Sequence, residues 1–140
     1  MIGYWTGDGK EPQHAHDDDA GFDLAYSGDQ PLIVEPHTTC NVPTSISVQL
    51  PRHTWAMVTG RSSTFKRGLM TPVSVIDNGY RGELFAIVHN FTSEAVVIMP
   101  QERVAQLIVI DMLADLIAWQ HTDRLDETQR GANGFGSTGK

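Results

Sequence analysis

Short apolar or alternating runs recur along the chain at residues 31–35, 44–50, 55–59, 73–76, 84–89, 95–99 and 104–110, and they are rich in Val and Ile. Alternation with a period of two sends successive side chains to opposite faces of an extended strand, and β-branched residues fit that pleated surface. Gly, Pro, Asn, Asp or Ser separates the runs, as turns between strands require. Seven Pro and thirteen Gly scattered among them leave little room for long helices. The pattern therefore predicts an all-β fold: a sandwich, a jelly roll or a barrel. Residues 111–119 fit either a helix or a strand and are assigned to a further strand. The Gly-rich, polar stretch 1–10, with Tyr4 and Trp5, leaves its pairing open and does not read as a signal peptide. From Gln120 onward the pattern fades into polar residues and then glycines, so residues 120–140 are expected to form a flexible arm on a single domain spanning 1–140. Such an arm buries little on its own domain and is ordered only by a ligand or a neighbouring subunit.

Composition adds limits. With 140 residues, 40% hydrophobic and 19% charged, the chain is long enough to bury a core and unlike a disordered one. No apolar run approaches the ~20 residues of a membrane-spanning helix. The single cysteine, Cys40, excludes an internal disulfide and reads as a small half-buried residue, which suits a cytoplasmic protein. A net charge of −7 opposes a general nucleic-acid binder. Seven of the ten basic residues are nevertheless Arg, and Arg61, Arg81, Arg103 and Arg130 each occur in a short polar or Gly-containing cluster. The planar guanidinium fork grips phosphate oxygens, so a small phosphorylated ligand is the better expectation.

Five clusters carry candidate chemistry. In Asp19-Ala20-Gly21-Phe22-Asp23-Leu24, Asp23 ends a Gly-containing turn beside apolar Leu24, and its hard carboxylate suits Mg²⁺ held through water and substrate phosphates. The upstream His14, His16, Asp17 and Asp18 match no closed zinc site and read as a solvated loop. Gly60-Arg61-Ser62-Ser63 leaves a strand with N–H groups, hydroxyls and a guanidinium able to converge on phosphate, although it would also make an ordinary surface turn. In Val75-Ile76-Asp77-Asn78-Gly79-Tyr80-Arg81-Gly82-Glu83, Asn-Gly between apolar runs predicts a tight hairpin that fixes Asp77 at a strand end. A carboxylate held there either caps the turn or acts as a general base on water. In Arg103-Val104-Ala105-Gln106-Leu107, Gln106 enters a buried strand and needs a hydrogen-bond partner. The ending from Arg130 to Lys140 combines Arg, hydroxyls, many Gly and Phe135.

In that order, and over nearly the whole chain, these clusters resemble the motifs of the trimeric dUTPase family; Ile-Asp-x-x-Tyr-Arg-Gly and Arg-Gly-x-x-Gly-Phe-Gly-Ser-Thr-Gly are the most specific. The resemblance implies a jelly-roll-like β-barrel or sandwich with an extended C-terminal arm, assembled as a homotrimer whose active sites are shared between chains. It implies Mg²⁺-dependent hydrolysis of dUTP to dUMP and pyrophosphate, which keeps uracil out of DNA and supplies dUMP for dTMP synthesis. Asp77 would activate the water that attacks the α-phosphorus, and Tyr80 would lie under the deoxyribose and refuse a 2′-hydroxyl. Backbone around Thr71, Val75 and Ile76 would bond uracil, with Phe85 close by. Arg61, Ser62, Ser63 and Gln106 would hold phosphates, and Asp23 would bind water on the Mg²⁺. In the arm, Phe135 beside Gly136 would stack on uracil while Arg130, Ser137 and Thr138 grip the terminal phosphates. Ser74 stands where relatives commonly have Gly, and Gly-Arg-Ser-Ser where many have Pro-Arg-Ser-Gly. The dCTP deaminases share the fold, but they carry a catalytic Glu ten residues after the corresponding Asp, where this chain has Ile87. A dUTPase-like regulator that binds a protein when nucleotide is present is the other alternative.

Overall fold

The structure, a computed structural model, describes residues 1–134. Its elements run β1 (Tyr4–Thr6), β2 (Phe22–Ala25), β3 (Leu32–Val34), β4 (Thr39–Gln49), β5 (Thr54–Gly60), α1 (Ser62–Lys66), β6 (Leu69–Met70), β7 (Ser74–Ile76), β8 (Glu83–Asn90), β9 (Val96–Ile98) and β10 (Arg103–Asp111), followed by one 3₁₀ turn, Ala114–Leu116. Two four-stranded antiparallel sheets, ordered β1-β4-β8-β6 and β2-β10-β5-β7, form the layers of a jelly-roll-like fold, and β3 pairs with β9 alone. No helix among the described residues is long and apolar enough to cross a membrane.

Period-two alternation builds the core. In β4 it buries Val42, Thr44, Ile46 and Val48, and in β8 Leu84, Ala86, Val88 and Asn90. The other sheet contributes Leu24, Ala56, Val58 and Leu107 to the same apolar cluster. Each buried Val, Leu or Ile among them stabilises the fold by about 1.5–3 kcal/mol. The alternate faces of β4 and β8 therefore stay available for a site. Cys40 is half-buried, packed against this core, and burial raises its thiol pKa.

The Gly-rich start pairs after all. Tyr4, Trp5 and Thr6 lie opposite Gln49, Val48 and Ser47. The next turn hugs β4 so closely that a Cβ on Gly7 or Gly9 would fall 2.0 Å from Ser45 O or 1.9 Å from Thr44 O. Only glycine allows that approach.

Three expectations need correction. Residues 111–119 are not a strand: β10 ends at Asp111, and a 3₁₀ turn with irregular backbone follows. Asp23 does not end a turn but lies inside β2. Asn78-Gly79 does not close a hairpin, because β7 pairs with β5 whereas β8 pairs with β4. Residues 77–82 instead carry the chain from one sheet to the other. The positive φ that a tight Asn-Gly hairpin demands occurs at neither residue, and Tyr80 N–H donates to Asp77 O (3.0 Å) to close an ordinary turn.

Asn90 is the polar pin of the core. Fully buried, it donates from Nδ2 to Val34 O (2.9 Å) and Glu94 O (2.7 Å), and its Oδ1 accepts from Thr92 N–H (2.9 Å) and Thr92 Oγ1 (2.8 Å). Asn90→Ala strands those partners and should cost about 2–3 kcal/mol in urea unfolding; a loss below about 1 kcal/mol would contradict this accounting.

Candidate active site

The crossing at 77–82 forms one wall of a cleft of about 310 Å³, lined by Asn41, Ser74, Val75, Ile76, Asp77, Tyr80, Glu83, Phe85 and Ile87. That is the low end of ligand-pocket sizes. β7 supplies its rim, and the outward faces of β4 and β8 supply its floor, where Asn41 lies opposite Ile87. Tyr80 is locked: its hydroxyl donates to Glu83 O (2.9 Å). Gly82 makes this posture possible, since a Cβ there would lie 2.4 Å from the phenol oxygen. Arg81 folds back and donates from Nη1 to Asn78 O (2.7 Å) and Tyr80 O (2.8 Å). Of the two carboxylates at the cleft, Glu83 accepts from Ser45 N–H (2.8 Å), whereas Asp77 has no partner among the described residues. A carboxylate without a protein partner at a cleft rim is free to accept from water.

A second cleft, about 270 Å³ and polar, is lined by Ala15, His16, Asp19, Ala20, Gly21, Asp23, Arg61, Ser62, Ser63 and Gln106. Its charge arrangement centres on Asp23. Oδ1 pairs with Arg61 Nε (2.8 Å) and Oδ2 with Arg103 Nη1 (2.9 Å). Arg61 also donates from Nη1 to Arg103 O (3.1 Å) and Ser63 Oγ (3.4 Å), so its head is fixed by three groups. With five donors on the guanidinium, some remain for a ligand. Gln106 finds the backbone partner its position demanded, donating from Nε2 to Gly60 O (3.0 Å). Its Oε1 crowds Gly21, where a Cβ would fall 2.5 Å away. Gly60-Arg61-Ser62-Ser63 is not a plain turn: Arg61 is the N-cap residue of α1, which starts at Ser62. At the outer edge, the His16 amide donates to the Asp19 carboxylate (2.8 Å) and lowers its pKa.

The residues singled out in the sequence thus fall into two groups that share no lining residue. Val75, Ile76, Asp77, Tyr80 and Phe85 meet in the first cleft, and Asp23, Arg61, Ser62, Ser63 and Gln106 in the second. Thr71 lines neither, and its Oγ1 is buried without a hydrogen-bond partner among the described residues, packed near Gly60. Arg130 is exposed, donates from Nε to Asn133 O (3.1 Å) and lines neither cleft. Phe135, Gly136, Ser137 and Thr138 lie outside the described residues. Sequence reasoning assigned no role to Asn41 or Glu83, although strand alternation puts Asn41 on the same outward face as Phe85 and Ile87. His14, read as part of a solvated loop, stacks on Phe22 with ring centroids 4.0 Å apart.

A family model described as dUTPase matches residues 8–139. The chain belongs to the dUTPase family. The deoxyuridine 5'-triphosphate nucleotidohydrolase of Desulfitobacterium hafniense (strain DSM 10664 / DCB-2) is 40% identical over 134 residues, covering 93% of this chain and 87% of its own. That of Orientia tsutsugamushi (strain Boryong) is 36% identical over 131 residues, covering 91% and 87%. Among solved structures, the Staphylococcus bacteriophage 80alpha dUTPase with dUPNHPP superposes with a TM-score of 0.84 over 99% of both chains at 20% identity, which speaks to the fold. The EIAV dUTPase superposes at 0.75 with 27% identity, over 89% of this chain and 100% of its own. Family membership gives the two clefts one context.

Proposed function

We propose that the chain is a dUTP diphosphatase, converting dUTP and water to dUMP and pyrophosphate. One observation carries the reading: the Asp77 carboxylate, without a partner among the described residues, and the locked Tyr80 ring flank one cleft built from β7, β4 and β8. Backbone groups at Val75 and Ile76, with Phe85 beside them, receive uracil. Tyr80 lies under the deoxyribose, and its hydroxyl bond to Glu83 O keeps the ring from yielding to a 2′-hydroxyl. Asp77 takes a proton from water as the water oxygen bonds the α-phosphorus. The bond from that phosphorus to the bridging oxygen breaks, and pyrophosphate leaves with the electron pair. Such chemistry depends on positioning and charge neutralisation.

Arg61, Ser62, Ser63 and Gln106 hold the phosphates, with Arg61 pre-aimed by Asp23. The Asp23 site fits Mg²⁺ only in the outer sphere. Both its oxygens already hold a guanidinium, so direct ligation would displace an arginine, whereas the remaining lone pairs can accept from a metal-bound water. Mg²⁺ chelated by the triphosphate would supply neutralisation of its charge.

A homotrimer with active sites shared between chains is part of this reading. Within one chain the two clefts share no lining residue, which supports a site assembled from the clefts of different copies. After β10 the chain leaves Leu113, Leu116, Ile117, Trp119 and Leu125 exposed, Trp119 at 92%, as a segment that packs on another subunit would. From about residue 120 the arm closes over the nucleotide: Phe135 stacks on uracil, and Arg130, Ser137 and Thr138 reach the terminal phosphates. The enzyme works in the cytoplasm. Ile87, apolar on the cleft floor, supplies no acid for a deaminase.

Asp77→Asn should abolish pyrophosphate release, by about 10³-fold or more, while a non-hydrolysable dUTP analogue still binds within about threefold in calorimetry; retained turnover would remove Asp77 as the base. Tyr80→Ala should raise the UTP-to-dUTP ratio of kcat/KM by about tenfold or more. An unchanged ratio in the nucleotide panel would remove the steric account of sugar selection.

A further inference from the structure

Asp77 follows the last residue of β7, whose register is fixed by pairing with β5: Ser74 to Val58, Val75 to Met57 and Ile76 to Ala56. Beyond Ile76 that ladder ends, and another restraint must set the turn. The Asn78 side chain provides one. Its Nδ2 donates to Pro51 O (2.7 Å) and to Thr54 O (2.8 Å), so both amide protons are spent on the loop after β4 and the first residue of β5. That loop is itself braced. Thr54 Oγ1 donates to Pro51 O (2.8 Å), and Met112 N–H, just past β10, donates to His53 O (2.8 Å). On the turn's own side, Tyr80 N–H bonds Asp77 O, and Arg81 bonds the carbonyls of Asn78 and Tyr80. Asp77 is thus one peptide unit from a clamp that spans 24 to 27 residues of sequence, and among the described residues its own carboxylate has no partner to orient it.

We propose that Asn78 is a positioning residue for the reaction: its carboxamide fixes the Asp77–Tyr80 turn against the 51–54 loop and so sets where the base and the sugar platform stand relative to the cleft. The inference rests on the reading of Asp77 as the base. The chemistry of the clamp is narrow. Ala offers no donor, and Asp turns an acceptor toward two carbonyl oxygens and repels them. Uracil binding depends on β7, which its own ladder holds, whereas catalysis depends on the residue that follows. Loss of the clamp should therefore lower kcat far more than affinity. A displacement of about 1 Å costs about 10²-fold in rate.

The test compares full-length Asn78→Ala and Asn78→Asp with the unaltered protein, each well below its own melting transition. Measurements are dUTP turnover with Mg²⁺, binding of a non-hydrolysable dUTP analogue, and amide hydrogen exchange at residues 77–80. The expected result is a kcat lowered about 30–100-fold in Ala and further in Asp, with analogue affinity within about threefold and faster exchange at 77–80. A purely structural role would lower the melting temperature and leave kcat of the folded protein alone. Turnover within twofold of the unaltered protein in both variants, or lost affinity with unchanged kcat, would overturn the proposal. If the unaltered protein does not cleave dUTP, the functional reading fails, and unchanged exchange at 77–80 would then separately refute the clamp.

Discussion

The passage of the chain from one sheet to the other at residues 77–82 is the constraint on which the rest depends. β7 belongs to the sheet of β5 and β8 to the sheet of β4, so the connection must round the edge of the sandwich. That edge is where the outward faces of β4 and β8 meet the end of β7, and a cleft results. Gly82 lets the Tyr80 phenol fold over it, and Arg81 and Asn78 tie the turn to itself and to the 51–54 loop. A carboxylate placed on so heavily restrained a turn needs little reorganisation to act. Preorganisation of this kind is the largest resource an enzyme of phosphoryl chemistry has.

Charge is organised the same way at the second cleft. In a chain of net charge −7, phosphate is not attracted by a general positive field. Asp23 instead fixes two guanidiniums, Arg61 and Arg103, from 14% exposure in the middle of a strand. The cost of burying that carboxylate is offset by two short charge-assisted bonds, and the return is a guanidinium whose direction is set before a ligand arrives. The reading of Asp23 as a partner of metal-bound water and its observed role as an arginine anchor are compatible, because a carboxylate has acceptor sites for both.

The sequence made most of this legible, for physical reasons that also explain what it hid. Strands with five or more alternating residues, such as β4, β5, β8 and β10, announce themselves because one face must be buried. β6, with two residues, and α1, with five, span at most about one repeat of their own period, too little to show a pattern. β2 is hidden because it is only four residues long and places the charged Asp23 between Phe22 and Leu24. The Asn-Gly signal misled because local turn preference says nothing about which sheet the next strand joins; Asn78 serves through its side chain, not its backbone. The separation of Asp77 from Arg61 into two clefts is a matter of tertiary placement, to which motif order is blind. Asn41 lies outside every motif, and only strand register brings it to the cleft.

The claim at the centre is that Asp77 directs water at the α-phosphorus. Turnover of dUTP by the purified protein in ¹⁸O-labelled water, followed by mass spectrometry of both products, tests it most directly. One labelled oxygen in dUMP and none in pyrophosphate is the expected result; label in the pyrophosphate would place the attack on the β-phosphorus and contradict the account.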